Sequence, residues 1–213
     1  VAVPIIGNAG VVAEVDEARN IQTFEATPGY PAAGGFYSVS GHTTAVVAAA
    51  LGADVMLMSA RLAAVSTRKA YITKFRLHMW CVLLNAAGVD LGILGLRRFT
   101  AQTPTGGNAR TAQRYSGTKG TATDITDIRD SNAALTGTAP TWPADGIIAQ
   151  APVPAIQGAI AAGMANAAAL EYVFDFPAPI ELVAGDGVAL RTIKAMPATV
   201  TWGYSYTMHW FER

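Results

Sequence analysis

The chain has 213 residues, and only 14% of them are Asp, Glu, Lys or Arg, fifteen bases against fifteen acids, so the formal net charge is zero. A typical soluble domain carries about 25% charged residues. This balance leaves no electrostatic footprint for nucleic acid, and with Cys81 as the sole cysteine an intramolecular disulfide scaffold is excluded.

Residues 1–34 read as an extended arm. Pro4, Pro28, Pro31 and several glycines interrupt them, and Glu14, Asp16, Glu17 and Glu25 outweigh Arg19. Val11, Val12, Val15, Ile21 and Phe24 give the arm a reason to pack on its own domain or on a neighbour. Its start lacks the basic n-region of a signal peptide. The weakly charged run Val39 to Ala53 is too short and too rich in Ala, Thr and Gly to span a membrane.

Residues 35–213 read as a single β domain. Short strands are predicted at Phe36–Ser40, Thr44–Leu51 and Val55–Ala60. Ala70 to Leu84 predicts a long strand. Its odd positions from Tyr71 to Leu83 are mostly apolar, while Lys74, Arg76 and His78 make the other face wet at one end. Ile93–Thr100 follows. Thr103–Gly120 and Thr136–Pro154 read as loops, the first rich in Gly, Thr and Arg, the second broken by Pro140, Pro143, Pro152 and Pro154. Asp124 to Asp130 between them reads as a short strand or turn. Ile156–Ala169 has some helix propensity, opposed by two glycines and flanking prolines.

In Leu170–Phe176, Leu170, Tyr172, Phe174 and Phe176 are expected inward, Glu171 and Asp175 outward. Ile180–Val183 and Val188–Lys194 flank the turn Gly185-Asp186-Gly187. Thr199 to Trp210 alternates most cleanly, with Val200, Trp202, Tyr204, Tyr206, Met208 and Trp210 on one face and small or polar residues on the other. Many alternating strands without βα units predict an all-β antiparallel β-sandwich of jelly-roll-like form with an extended N-terminal arm.

No catalytic or cofactor motif emerges, and a non-enzymatic protein without cofactor or metal is expected. His42, His78 and His209 lie in separate segments without metal-ligand spacing. Asp124, Asp127 and Asp130 recur every third residue. They depart from the EF-hand pattern and have Arg129 in their midst, so turn capping competes with a structural ion. Gly117-Thr118-Lys119-Gly120 lacks phosphate-loop spacing. The basic cluster Arg97, Arg98, Arg110, Arg114 and Lys119 is a candidate contact for an acidic partner surface, with Tyr115 as an anchor beside it. Phe24 and Tyr30 of the arm are further interface candidates. Trp142, between prolines, is either a loop anchor or an exposed aromatic for a glycan.

The C-terminal third carries a resemblance. Ile180-Glu181-Leu182-Val183-Ala184-Gly185-Asp186-Gly187-Val188-Ala189-Leu190-Arg191, then Met196-Pro197-Ala198-Thr199, then the ending His209-Trp210-Phe211-Glu212-Arg213, resembles the closing strands of a group of tailed-bacteriophage virion proteins. Gly35-Phe36-Tyr37-Ser38-Val39-Ser40-Gly41 resembles their opening. Asp127-Ile128-Arg129 with Ala133 to Thr138 resembles their middle. The similarity covers residues 34–213 and rests on turns and strand ends. It implies a jelly-roll-like head cement or decoration protein, made in the bacterial host cytoplasm and resident on the phage head. The implied partners are the major capsid protein and copies of itself, as a dimer or trimer, with no nucleic acid or membrane. A tail or head-fibre module that binds host glycan is the alternative.

Overall fold

A computed structural model describes residues 35–47, 51–83, 92–101, 104–116, 122–137, 140–143, 146–153, 169–196 and 201–213, together with three short N-terminal strands. Those three, β1 (Ile5–Ile6), β2 (Val12–Val15) and β3 (Ile21–Thr23), pair in order as a small antiparallel sheet within the arm. The remaining strands are β4 (Phe36–His42), β5 (Val46–Val47), β6 (Met56–Leu62), β7 (Ala70–Leu83), β8 (Ile93–Phe99), β9 (Pro104–Thr105), β10 (Asn108–Ala109), β11 (Gln113–Ser116), β12 (Ile125–Asp130), β13 (Thr136–Gly137), β14 (Ile147–Pro152), β15 (Ala169–Leu182), β16 (Gly187–Lys194) and β17 (Thr201–Glu212).

They form two antiparallel sheets packed as a sandwich. One runs β11-β4-β17-β7-β15, with β5 added beside β17, and the other runs β10-β12-β6-β16-β8-β14. Set aside β5 and the flanking strands β10, β11 and β12, and eight strands remain. Counted along the chain, their orders are first-eighth-third-sixth and second-seventh-fourth-fifth, which is the jelly-roll arrangement expected from the sequence. The flanking strands widen both sheets on the side where the chain between β8 and β14 crosses from one to the other.

The alternation in β17 does what its period dictates. Trp202, Tyr204, Tyr206, Met208 and Trp210 are all buried between the sheets. Facing them are Leu57, Met58, Leu62, Leu94, Val188 and Leu190 from the opposite sheet. Each such burial contributes about 1.5–3 kcal/mol against the entropy of ordering the chain. Tyr204 also links the sheets: its hydroxyl lies 2.8 Å from the Leu57 carbonyl and 2.9 Å from that of Ser131, and it donates to that pair.

Several predicted elements are corrected. In β7 the expected odd inward face holds only from Phe75 onward. A register shift against β17 lies between His209 and Trp210, so Ile72 and Ala70 join the inter-sheet core and Tyr71 turns to the opposite face, where it is buried against Phe211. One inserted residue exchanges the faces of a strand. The loop expected over Thr136–Pro154 contains β14, a full member of the jelly roll, and that over Thr103–Gly120 contains β9, β10 and β11. Leu170–Phe176 and all of Ile180–Val183 but its last residue belong to one strand, β15, which passes Pro177 and Pro179 through a bulge between Asp175 and Ile180. Proline is tolerated there because β15 is an edge strand and needs hydrogen bonds on one side only. Leu170, expected inward, is exposed. Of Thr44–Leu51, only Val46–Val47 is strand and Ala48 to Ala50 lie outside the described residues, as does most of the possible helix at 156–169.

Candidate functional site

The charged residues are largely consumed by the fold. Glu212, in phase with Trp210 on β17, is fully buried. Its carboxylate accepts hydrogen bonds from the Asp124 amide (3.0 Å), the Ile125 amide (3.3 Å), the Trp210 indole (3.1 Å) and the Thr123 hydroxyl. The Arg68 guanidinium pairs with it at 3.0 Å and also pairs with Asp124, which accepts from Ser66 as well (2.6 Å). Hydrogen bonding from Arg68 holds the Asp124 carboxyl below its ordinary value against the opposing effect of burial. This network ties the last strand to the start of β12 and to the turn between β6 and β7.

A second network lies at the sandwich end formed by the close of β4 and the loops around β10 and β12. Asp130 is fully buried, and both its oxygens accept from Arg110, at 2.7 and 3.0 Å. Arg110 also donates to the His42 carbonyl (3.0 Å). Burial, with the Asp130 charge adding to it, pushes the Tyr206 phenol well up. A β-carbon at Gly41 would land on the Asp130 carboxylate and the Tyr206 ring, so only glycine fits that point of β4. Above this pair opens a polar groove of about 740 Å³, lined by His42, Thr43, Thr44, Asn108, Arg110 and Asn132.

The three regularly spaced aspartates thus each meet a different arginine: Asp124 with Arg68, Asp127 with Arg129 (3.1 Å) and Asp130 with Arg110. Their period of three on a strand of period two sends them to different environments. Among the described residues, no group of three or more His, Cys, Asp or Glu is placed to hold a metal ion. No helix there is long and apolar enough to cross a membrane.

The expected interface residues whose side chains the structure describes each have partners within the domain. Arg98 pairs with Asp186 in the Gly185–Gly187 turn (2.7 Å), and Arg110 belongs to the Asp130 network. Arg114 lies close to Gly35, where the arm joins β4. Arg97 donates to the Pro143 carbonyl (2.9 Å) and sits 5.2 Å from the Trp142 ring. Trp142 is a packed anchor: its ring meets Phe99 edge-on at 6.0 Å and carries the buried Arg191 guanidinium 4.4 Å away. Tyr115 lies in β11, while Phe24, Tyr30 and Lys119 fall outside the described residues.

What sequence reasoning missed is an apolar flank. β14 and β15 are the outer strands of their respective sheets, and the Tyr172 hydroxyl joins them by donating to the Pro152 carbonyl (2.8 Å). The large apolar side chains left exposed among the described residues are Val65 in a turn, Ile147 on β14, Leu170 and Val173 on β15, and Val183 just beyond it. Tyr172, Phe174 and Phe176 are only partly buried, with Tyr172 and Phe174 stacked at 6.4 Å. The alternation of β15 was readable; that its inward face is only half covered follows from its edge position, which sequence does not state.

Comparison of the chain with protein-family models, with curated proteins and with solved structures finds no match.

Proposed function

We propose that this chain is a structural protein of a tailed-bacteriophage virion, a cement or decoration protein that stabilises the head by bridging capsid subunits and works as a homo-oligomer. The observation that carries the reading is the β14–β15 flank. An edge strand of fourteen residues leaves one row of backbone groups unpaired, and here it also offers a half-covered row of aromatic side chains. Natural sandwiches protect such edges with charge, proline or a neighbour. Pro177 and Pro179 protect the second half of β15; a neighbouring subunit would cover the first half. The jelly-roll order and the resemblance of residues 34–213 to virion proteins support the same reading.

The acidic arm fits it too. Residues 1–34 hold four acids and one base, so the remaining 179 residues hold eleven acids and fourteen bases. Arm and sandwich are therefore of opposite sign, as exchange between copies would favour. The test is co-sedimentation with expanded phage heads. The full chain is expected to pellet with heads, and Leu170→Lys, which places a charge in the same half-covered row as Tyr172 and Phe174, to weaken retention tenfold or more. A full chain that stays in the supernatant contradicts the proposal.

A further inference from the structure

The outer face of the β4-β17-β7-β15 sheet has a composition unlike the flank. Its side chains stand in rows fixed by strand register. Gly203 lies opposite Trp80; in the next row stand His42, Ser205, His78 and Glu171; then come Ser40, Thr207, Arg76 and Val173; then Ser38, His209, Lys74 and Asp175. The middle of the face is therefore hydroxyl and imidazole, with Val173 its one exposed large apolar side chain among the described residues.

Two features of this face point to a ligand. The first is Trp80. A β-carbon on Gly203 would meet the Trp80 ring at Cε2, Cζ2 and Nε1, at 2.5 to 2.7 Å, so the indole covers the glycine of the neighbouring strand. Covering a cross-strand glycine protects the backbone. Trp80 nevertheless remains partly exposed. The second is Arg76. The acids at the β15 edge are already paired, Glu171 with His78 (3.2 Å) and Asp175 with Lys74 (2.7 Å). Arg76 stands exposed between those pairs, opposite Thr207 and Val173, with no acidic partner among the described residues.

We propose that this face binds an acidic oligosaccharide, with a pyranose ring on Trp80 and a sugar carboxylate on Arg76. A sugar ring presents C–H groups to an aromatic plane, and its hydroxyls both donate and accept, matching the side chains of Ser205, Thr207 and Ser40. Guanidinium takes a carboxylate through two parallel N–H bonds. Trp80 and Arg76 are four residues apart on one strand face, about 13 Å, which suits a short oligosaccharide rather than a single sugar. An apolar protein partner would find little to bury here. The site moves the glycan-facing aromatic from Trp142, which is packed, to Trp80, and it does not depend on the virion reading.

The test uses the full chain on an array of uronic-acid, sialic-acid and neutral oligosaccharides. Retention on at least one acidic class is expected. Arg76→Gln is expected to weaken that binding tenfold or more, and Trp80→Ala to abolish it. Because Trp80 also covers Gly203, the unfolding midpoint of Trp80→Ala is measured alongside, and His78→Ala serves as a second variant, expected to weaken binding severalfold without touching that contact. Retention on no acidic glycan, retention on neutral glycans alone, or binding by Arg76→Gln equal to that of the parent each overturns the proposal.

Discussion

Replacing Glu212 by alanine is expected to cost about 3–5 kcal/mol of folding stability, the range for removing one partner of a buried ion pair. The carboxylate is fully buried and collects two backbone amides, the Trp210 indole, the Thr123 hydroxyl and the Arg68 guanidinium. Alanine would leave those donors without their acceptor in a place water does not reach, and an orphaned buried donor costs more than a made hydrogen bond gains. For a domain of this size the midpoint of thermal unfolding should fall by about 6–20 °C. Glu212→Gln keeps the shape and one acceptor but removes the charge, so it should fall between the two. Denaturant unfolding checks both variants; a Glu212→Ala midpoint equal to that of the parent would show that Arg68 and Asp124 close the network without it.

Trp142→Ala carries the second large effect, about 2–4 kcal/mol, near the low end for a tryptophan truncation because the residue is only partly buried. The indole covers Phe99, Met56, Leu135 and Ala189, a small second core on the outer face of the β6-containing sheet. It also supplies the aromatic face against which the Arg191 guanidinium rests. Burial lowers the Arg191 pKa; one of its nitrogens pairs with Asp54 while the other two have no hydrogen-bond partner, so loss of the ring removes the contact that covers the guanidinium face. The variant should unfold earlier in denaturant while its retention on the glycan array stays that of the parent. Lost glycan retention at unchanged stability would restore Trp142 as a ligand-facing aromatic.

The sandwich was legible because its central strand has a period that only a strand can satisfy: Trp202 to Trp210 alternate without exception, and all are buried. Glu212 continues that phase, and a charge in phase with a tryptophan face signals a buried network, although its partner Arg68 lies on the far side of the chain and sequence cannot supply it. β14 was not legible. It lacks alternation and sits among prolines, which a sheet accepts at its edge and a local reading takes as loop. The arginines of 97–114 read as a basic surface because their partners, Asp186 in the turn before β16 and Asp130 on β12, are distant in sequence. Trp80 was visible as an apolar residue at the end of a polar face. That it lies over Gly203 depends on the register of β7 with β17, a tertiary fact.

Among the described residues, most charges are thus spent on ion pairs that link strands and turns, with Asp130, Asp186, Arg191 and Glu212 buried. The described surface is left with an apolar flank and a hydroxyl-rich face. Quantitative mass spectrometry of virions purified from a lysate in which it is made should find it at hundreds of copies per particle, in fixed ratio to the major capsid protein. A handful of copies would place it in the tail, and absence from the particle would contradict the account.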